Sequence, residues 1–234
     1  MDKICIIPAR GGSKRIPRKN IKEFCGKPII TYSIKVAIDS KLFDEVMVST
    51  DDKEISDIAI EFGANVPFLR SNKNSDDYSG LEDVVLEVLN FYQSQGIEFK
   101  SFCCLLPTAP FITINRIREC LYKLETGFSS VFPVLRYSYP IQRSLKNKEG
   151  KVEMAYPQFI NSRSQDLEPR FHDSGQFYWM KVNDFYQKKE LFSDNTGYIE
   201  LSEMEVQDID TPEDWEIAEF KFNYHAKKKN NNLF

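Results

Sequence analysis

Residues 4–20 read Ile4-Cys5-Ile6-Ile7-Pro8-Ala9-Arg10-Gly11-Gly12-Ser13-Lys14-Arg15-Ile16-Pro17-Arg18-Lys19-Asn20. The run Ile4 to Ile7 has no polar face, which predicts a short strand buried on both sides. Five cations and no acid then stand between Arg10 and Lys19. Such a segment repels itself unless an anion sits in it. Gly11 and Gly12 let the backbone turn sharply and aim N–H groups inward, while the cations suit a polyphosphate. The spacing is neither that of a Walker A loop nor the G-x-G-x-x-G dinucleotide fingerprint. A solvated basic loop after a strand would use the same residues, so its neighbours must discriminate.

Outward from this stretch, strand character returns at residues 45–50, 66–69, 102–106 and 130–135. Helical spacing occupies 29–38, 52–62, 81–92 and 115–124 between them. That alternation predicts βαβ units and a mostly parallel sheet over about residues 1–135, with ligands at the carboxyl ends of its strands. From about 133 to 179 the rhythm breaks at Tyr137, Tyr139, Pro140, Pro157 and Pro169, and a turn at 148–151 separates short strand-like pieces. This predicts an inserted β-rich arm. Strands resume at 175–181, 198–201 and 206–210, before a helix with Thr211 as N-cap, Pro212 at its first position and Asp214 in the capping-box place. The expected organisation is one domain over 1–226, an arm at about 133–179 and a flexible tail at 227–234. No repeat of 20 to 50 residues is present.

Composition narrows the class. With 234 residues and 41% hydrophobic content the chain can bury a substantial core, which excludes a disordered protein. Lys plus Arg number 31 against 35 Asp plus Glu, net −4, which argues against a surface built to grip nucleic acid. Any anion must meet a local basic patch. Cysteines at 5, 25, 103, 104 and 120 form no C-x-x-C pair, and their odd number cannot close wholly into internal disulfides. No segment approaches the length of a membrane span or a signal-peptide core. A cytoplasmic chain is expected. Thiol catalysis finds little support, because Cys5, Cys103 and Cys104 fall in apolar strands.

Two further clusters carry chemistry. Asp208 and Asp210, placed on one face of the expected strand, suit a hard divalent cation such as Mg2+, which completes its shell with water and substrate phosphates. An acidic turn capping the next helix would look the same. Residues 161–166 and 172–179 mix polar groups with aromatics, as a sugar pocket does, and Gln142 and Arg143 could join them. Arg163 or Arg143 could fork onto a substrate carboxylate. Contacts to a second subunit would use the same arm residues.

The basic loop continued by Ile16-Pro17 and Lys19-Asn20 resembles the signature of the CMP-sialic acid synthetase (acylneuraminate cytidylyltransferase) family. Echoes follow in order at Ser49-Thr50-Asp51-Asp52, residues 66–70, Pro107-Thr108-Ala109-Pro110, residues 163–166 and Asp208-Ile209-Asp210-Thr211. Residues 13–20, 139–143, and 162–166 with 172–179 are most similar to the branch that activates pseudaminic acid. Arg15 stands where a glycine is usual, Leu106 and Ala109 replace Gln and Ser, and Ser164 looks inserted into R-Q-D.

The resemblance implies a Rossmann-like, mostly parallel sheet of nucleotide-diphospho-sugar transferase type, with a small inserted dimerisation arm. It implies transfer of a cytidylyl group from CTP to a nine-carbon acidic sugar, with release of pyrophosphate. Arg10, Lys14 and Lys19 would stabilise the reacting phosphates. Ala9, Arg10, Gly11, Gly12, Ser13, Lys14, Asn20, Arg70 and Ser79 would hold the nucleotide. Gln142, Arg143, Arg163, Gln165, Asp173, Gln176 and Tyr178 would meet the sugar, and Asp208 and Asp210 the Mg2+. A homodimer is expected, with no nucleic-acid or membrane partner. Sialic, legionaminic or 3-deoxy-octulosonic acid as the sugar, and a non-catalytic nucleotide-binding protein, are the alternatives.

Overall fold

A computed structural model describes residues 1–75 and 79–231, with side chains as far as residue 228 in the last helix. The opening run forms β1 (Lys3–Pro8), whose Ile4 and Ile6 enter one core and whose Cys5 and Ile7 enter another, all four fully buried. Burial on both faces is the reason the run needs no polar residue. A two-residue hairpin, β2 (Glu23–Phe24) and β3 (Lys27–Pro28), precedes α1 (Ile30–Ser40), β4 (Glu45–Ser49), α2 (Lys53–Glu61) and α3 (Leu81–Ser94). Then come β5 (Ser101–Leu105), α4 (Ile114–Glu125) and β6 (Ser130–Arg136), as the periodicity predicts. The strand expected at 66–69 does not form. Asn65 makes one bridge to Met47, but Pro67 has no N–H to donate, and the ladder along β4 stops.

Beyond β6 lie β7 (Leu145–Lys148), β8 (Lys151–Met154), β9 (Phe171–Asp173), β10 (Phe177–Lys181), α5 (Val182–Lys188), β11 (Thr196–Leu201) and α6 (Pro212–Asn231). The main sheet runs β11-β6-β10-β5-β1-β4, with β9 also on β6. Five strands run the same way, and β9 and β10 oppose them. The mostly parallel α/β class is borne out. Along β6, the three-residue step from Val131 to Val134 faces six residues of its neighbour, from Trp179 to Asp173. The extra length is a bulge at Ser174-Gly175-Gln176, where Gly175 takes a φ of 63°.

The arm is smaller than the composition suggests. Residues 133–136 and most of 171–179 are strands of the main sheet, so only about 137–170 stand outside it, including the β7–β8 hairpin. Segment 206–210 is not a strand either. Val206 and Ile209 are buried while Asp208 between them is exposed, a spacing of three that no neighbouring strand pairs. Thr211 and Asp214 cap α6 reciprocally, at 2.8 and 3.2 Å. The helix then continues to Asn231, into the segment expected as a flexible tail. Lysines are good helix formers, favoured at a helix C-terminus, and neither glycine nor proline stops the run. Residues 232–234 lie outside the described chain.

One core packs α1, α2 and α4 on the sheet, and the opposite core packs α3 and α5. A third, small core joins Ile16 of the basic loop to Phe24, Ile29, Ile209, Trp215 and Ala218. Phe24, fully buried, meets Tyr32, Trp215 and Phe222 edge-on at 5.8, 5.5 and 5.4 Å between centroids. Because Ile16 and Ile209 share this cluster, the basic loop and the Asp208–Asp210 segment are held side by side.

Candidate functional site

A cleft of about 600 Å³ opens over the carboxyl ends of β1 and β5, between the basic loop and the start of α3. Arg10, Ser13, Lys14, Lys19 and Asn20 line one side, and Arg70 and Ser79 are also in its wall. Arg15, Asn74, Leu106, Pro107 and Thr108 also line it, none of them an expected site residue. Arg15 belongs to the charge run, and Leu106 to Thr108 follow β5, so position past a strand end was the available signal. Nothing in the sequence marks Asn74.

Local chemistry shapes the loop. Asn20, almost fully buried, donates to the Arg10 carbonyl at 2.9 Å and closes the loop on itself. The Gly11 N–H donates to Asp51 at 2.9 Å, and a Cβ on Gly11 would lie 2.7 Å from Asp52 Oδ2, so the backbone can approach these acids only as glycine. A Cβ on Gly12 would meet no atom of the chain. Ala9 does not line the cleft. It continues β1, donating to the Ser49 carbonyl at 2.9 Å, with its methyl in the core.

Arg18 departs from the other loop cations. Its backbone is left-handed at φ 56°, and its guanidinium turns to Asp52 and Glu54. That fork holds the Asp52 carboxyl below its usual range, although partial burial opposes it. Four of the five cations therefore line the cleft, and the fifth braces the loop against α2. Arg70, buried, donates from Nε to Ser49 Oγ at 3.0 Å and also to the Ser49 carbonyl. Burial lowers its guanidinium pKa, with Asp51 and Glu87 opposing the shift, and it makes no ion pair among the described residues. A buried guanidinium bonded only to neutral oxygens gains from an anion in the cleft beside it.

Asp208 and Asp210 stand next to this wall. Asp210 accepts from Arg15 at 2.6 Å and faces the Lys19 ammonium at 3.5 Å, while Lys19 also donates to the Ile209 carbonyl at 2.6 Å. Asp208 is solvent-exposed on one side, but protein on the other raises its carboxyl above the usual range, and repulsion from Asp210 adds to this. Two hard oxygen donors whose charges oppose one another fit a divalent cation. No cluster of three or more His, Cys, Asp or Glu gathers among the described residues, so the remaining ligands of such a cation would be water and phosphate.

The expected sugar residues divide into two groups. Asp173 lines a second cavity with Asp208, His172, Ser174 and Lys221, and accepts from the Tyr178 hydroxyl at 2.5 Å. Burial, then Asp173, pushes the Tyr178 phenol up. Gln176 is buried and donates to the Glu205 carbonyl at 2.6 Å, which makes it a brace of the bulge. Gln142, Arg143, Arg163 and Gln165 all lie in the arm. Gln142 donates to the Glu168 carbonyl at 2.8 Å, Arg143 reaches Ser164 at 3.5 Å, and Arg163 forks onto Asp166 at 2.7 and 3.0 Å. None of these four lines either cavity. Cys5, Cys25, Cys103, Cys104 and Cys120 are all free thiols, and burial raises Cys103, Cys104 and Cys120. No helix of the described chain is long and apolar enough to cross a membrane.

Against known proteins, a sequence model of the cytidylyltransferase family matches residues 4–209. The pseudaminic acid cytidylyltransferase of Campylobacter jejuni subsp. jejuni serotype O:2 is 40% identical over 230 residues, which is 97% of this chain and 99% of that protein. The CMP-N,N'-diacetyllegionaminic acid synthase of Legionella pneumophila is 36% identical, over 92% of this chain and 94% of its own. A solved CMP:2-keto-3-deoxy-manno-octonic acid synthetase, complexed with CTP, superposes with a TM-score of 0.70 over 96% of this chain and 100% of the other. At 19% identity that last likeness concerns the fold alone.

Proposed function

Since the chain belongs to the cytidylyltransferase family, we propose that it transfers the cytidylyl group of CTP to pseudaminic acid, giving CMP-pseudaminic acid and pyrophosphate. The observation that carries the choice of sugar is the 40% identity to a pseudaminic acid cytidylyltransferase along nearly the whole of both chains. The cleft geometry supports the chemistry independently, because a cationic loop walls a space large enough for a nucleotide and a carboxylate pair stands beside that loop.

In this reading the anomeric hydroxyl of the sugar acid attacks the α-phosphorus, the bond to the β-phosphate oxygen breaks, and the hydroxyl proton passes to solvent. Arg10, Lys14 and Lys19 bind the triphosphate and stabilise the charge that gathers on its oxygens in the transition state. Arg70, Asn20, Ser79 and Ser13 orient the nucleotide, while Ala9 and Gly11, whose N–H groups are held by Ser49 and Asp51, and Gly12 shape the turn that carries them. Arg15 can leave Asp210 for the phosphates, because its side chain is 67% exposed. Asp208 and Asp210 would hold Mg2+, which when bound neutralises phosphate charge and orients the triphosphate.

Asp173 and Tyr178 meet the sugar beside Asp208, and Gln176 holds the bulge that presents them. Gln142, Arg143, Arg163 and Gln165 act on the sugar pocket of a second subunit, with the arm forming a homodimer, which accounts for their absence from the lining of both cavities of their own chain. The enzyme works in the cytoplasm, where CTP is available. The test is purified protein with CTP, Mg2+ and a panel of pseudaminic, legionaminic, sialic and 3-deoxy-octulosonic acids, reading pyrophosphate release. Turnover highest with pseudaminic acid is expected. Preference for another acid overturns the sugar, and CTP binding without turnover of any acid overturns the enzyme.

A further inference from the structure

The inward face of α6 is fully engaged. Trp215, Ala218 and Phe222 pack in the third core, Lys221 donates to the Glu203 and Val206 carbonyls at 2.9 and 2.8 Å, and the His225 imidazole bonds the Met204 carbonyl at 2.9 Å. The outward face is different. Ile217, Phe220 and Tyr224 are 39%, 71% and 48% exposed, and their i, i+3, i+7 spacing lines them up in one apolar stripe. Glu213 and Glu216 are exposed at the N-terminal end of this face, and Lys227 and Lys228 at its C-terminal end. None of these four charges has an ion-pair partner among the described residues.

We infer that the outward face of α6 is a self-pairing surface, which docks antiparallel on the same face of a second copy of this chain. The pattern is complementary to itself about a two-fold axis passing between Phe220 and Lys221. That axis sets Ile217 against Tyr224 of the second copy, brings the two Phe220 rings together, and places Glu213 opposite Lys228, fifteen residues or about 22 Å away along its own helix. Each acidic end then meets a lysine end, twice over. A parallel pairing would oppose like charges. An anionic lipid surface would attract the lysines but repel Glu213 and Glu216 on the same face. The surface is separate from the arm, so a chain using both has two isologous contacts and assembles one step beyond a dimer.

The experiment is sedimentation velocity of the full chain over a range of protein concentration, in low and high salt. Phe220→Glu is expected to halve the mass of the assembly with an unchanged circular dichroism spectrum, because the side chain is mostly in solvent. Glu213→Lys and Lys228→Glu should each weaken the association roughly tenfold, by turning two attractions into repulsions, and the double variant should restore it. An unchanged mass in Phe220→Glu overturns the inference, as does a double variant no tighter than the singles. Sedimentation with phosphatidylglycerol vesicles, lost in Phe220→Glu while the mass stays constant, would assign the stripe to a membrane and equally overturn it.

Discussion

Replacing Asp210 by Asn separates the folding role of this carboxylate from its chemical one. In the structure Asp210 accepts from Arg15 at 2.6 Å and stands 3.5 Å from the Lys19 ammonium, with its side chain 33% and that of Arg15 67% exposed. Ion pairs this wet contribute about 0–1 kcal/mol each, and an amide oxygen still accepts from both donors. The substitution also relieves the repulsion that Asp210 exerts on Asp208. The net change in folding stability is therefore below about 1 kcal/mol, and Tm moves by no more than about 2–4 °C in a chain of this size. Catalysis should fall far more. Halving the negative charge of a hard-cation site is expected to lower kcat/KM at least about 100-fold, equivalent to about 2.7 kcal/mol in the barrier. The assay is pyrophosphate release against Mg2+ concentration, with thermal melting by circular dichroism on the same samples. Asp208→Asn should behave alike, less severely if that carboxylate acts through water. Near-wild-type turnover with unchanged Mg2+ dependence in both variants would show the pair to be an acidic turn ahead of α6. A loss of folding comparable to the loss of rate would show Asp210 to be structural.

Three other outcomes follow from the same geometry. Arg10→Ala and Lys14→Ala should each lower kcat/KM by at least about 100-fold, since each removes a charge-assisted phosphate contact; near-wild-type rates in both would remove the loop from the site. Arg163→Lys should raise KM for the sugar acid while leaving CTP affinity and assembly mass unchanged, because an ammonium cannot fork onto a carboxylate; dissociation into monomers with loss of both substrates would make Arg163 an interface residue instead. Asp52→Asn keeps the helix cap but removes the charge that Arg18 stabilises. The folded Asp52 pKa is depressed, so its stabilisation is complete above the unfolded value of about 4 and is lost as pH falls through the lower folded value. Urea midpoints of variant and parent should differ at neutral pH and converge as the pH falls through the depressed folded value, and parallel curves would contradict the ion pair.

Much of this was legible in residues 4–20 alone. An all-apolar strand followed by glycines and cations specifies both a doubly covered sheet and a place for an anion, and the wall containing Arg10, Ser13, Lys14, Lys19 and Asn20 is built from it. Arg18 misleads because a charge count carries no direction, and its left-handed backbone aims it at Asp52. The segment 66–69 shows strand composition without strand pairing, since a single proline ends the ladder. At 206–210 the alternation that suggested a strand is a spacing of three, in which Ile209 anchors to Trp215 and Phe24 rather than to a neighbouring strand. The arm is hardest to read locally. Gln142, Arg143, Arg163 and Gln165 line neither the cleft nor the Asp173 cavity of their own chain, and the contact with a second copy proposed for them would leave little local pattern.

In the proposed reaction the α-phosphate of CTP is transferred intact to a sugar acid. The most direct measurement is a pair of reactions with pseudaminic acid and Mg2+, one with CTP labelled at the α-phosphorus and one labelled at the γ-phosphorus. The α-label should appear in a sugar nucleotide and the γ-label in pyrophosphate, in equal amounts. A γ-label in the sugar, or an α-label found only in free CMP, would contradict it.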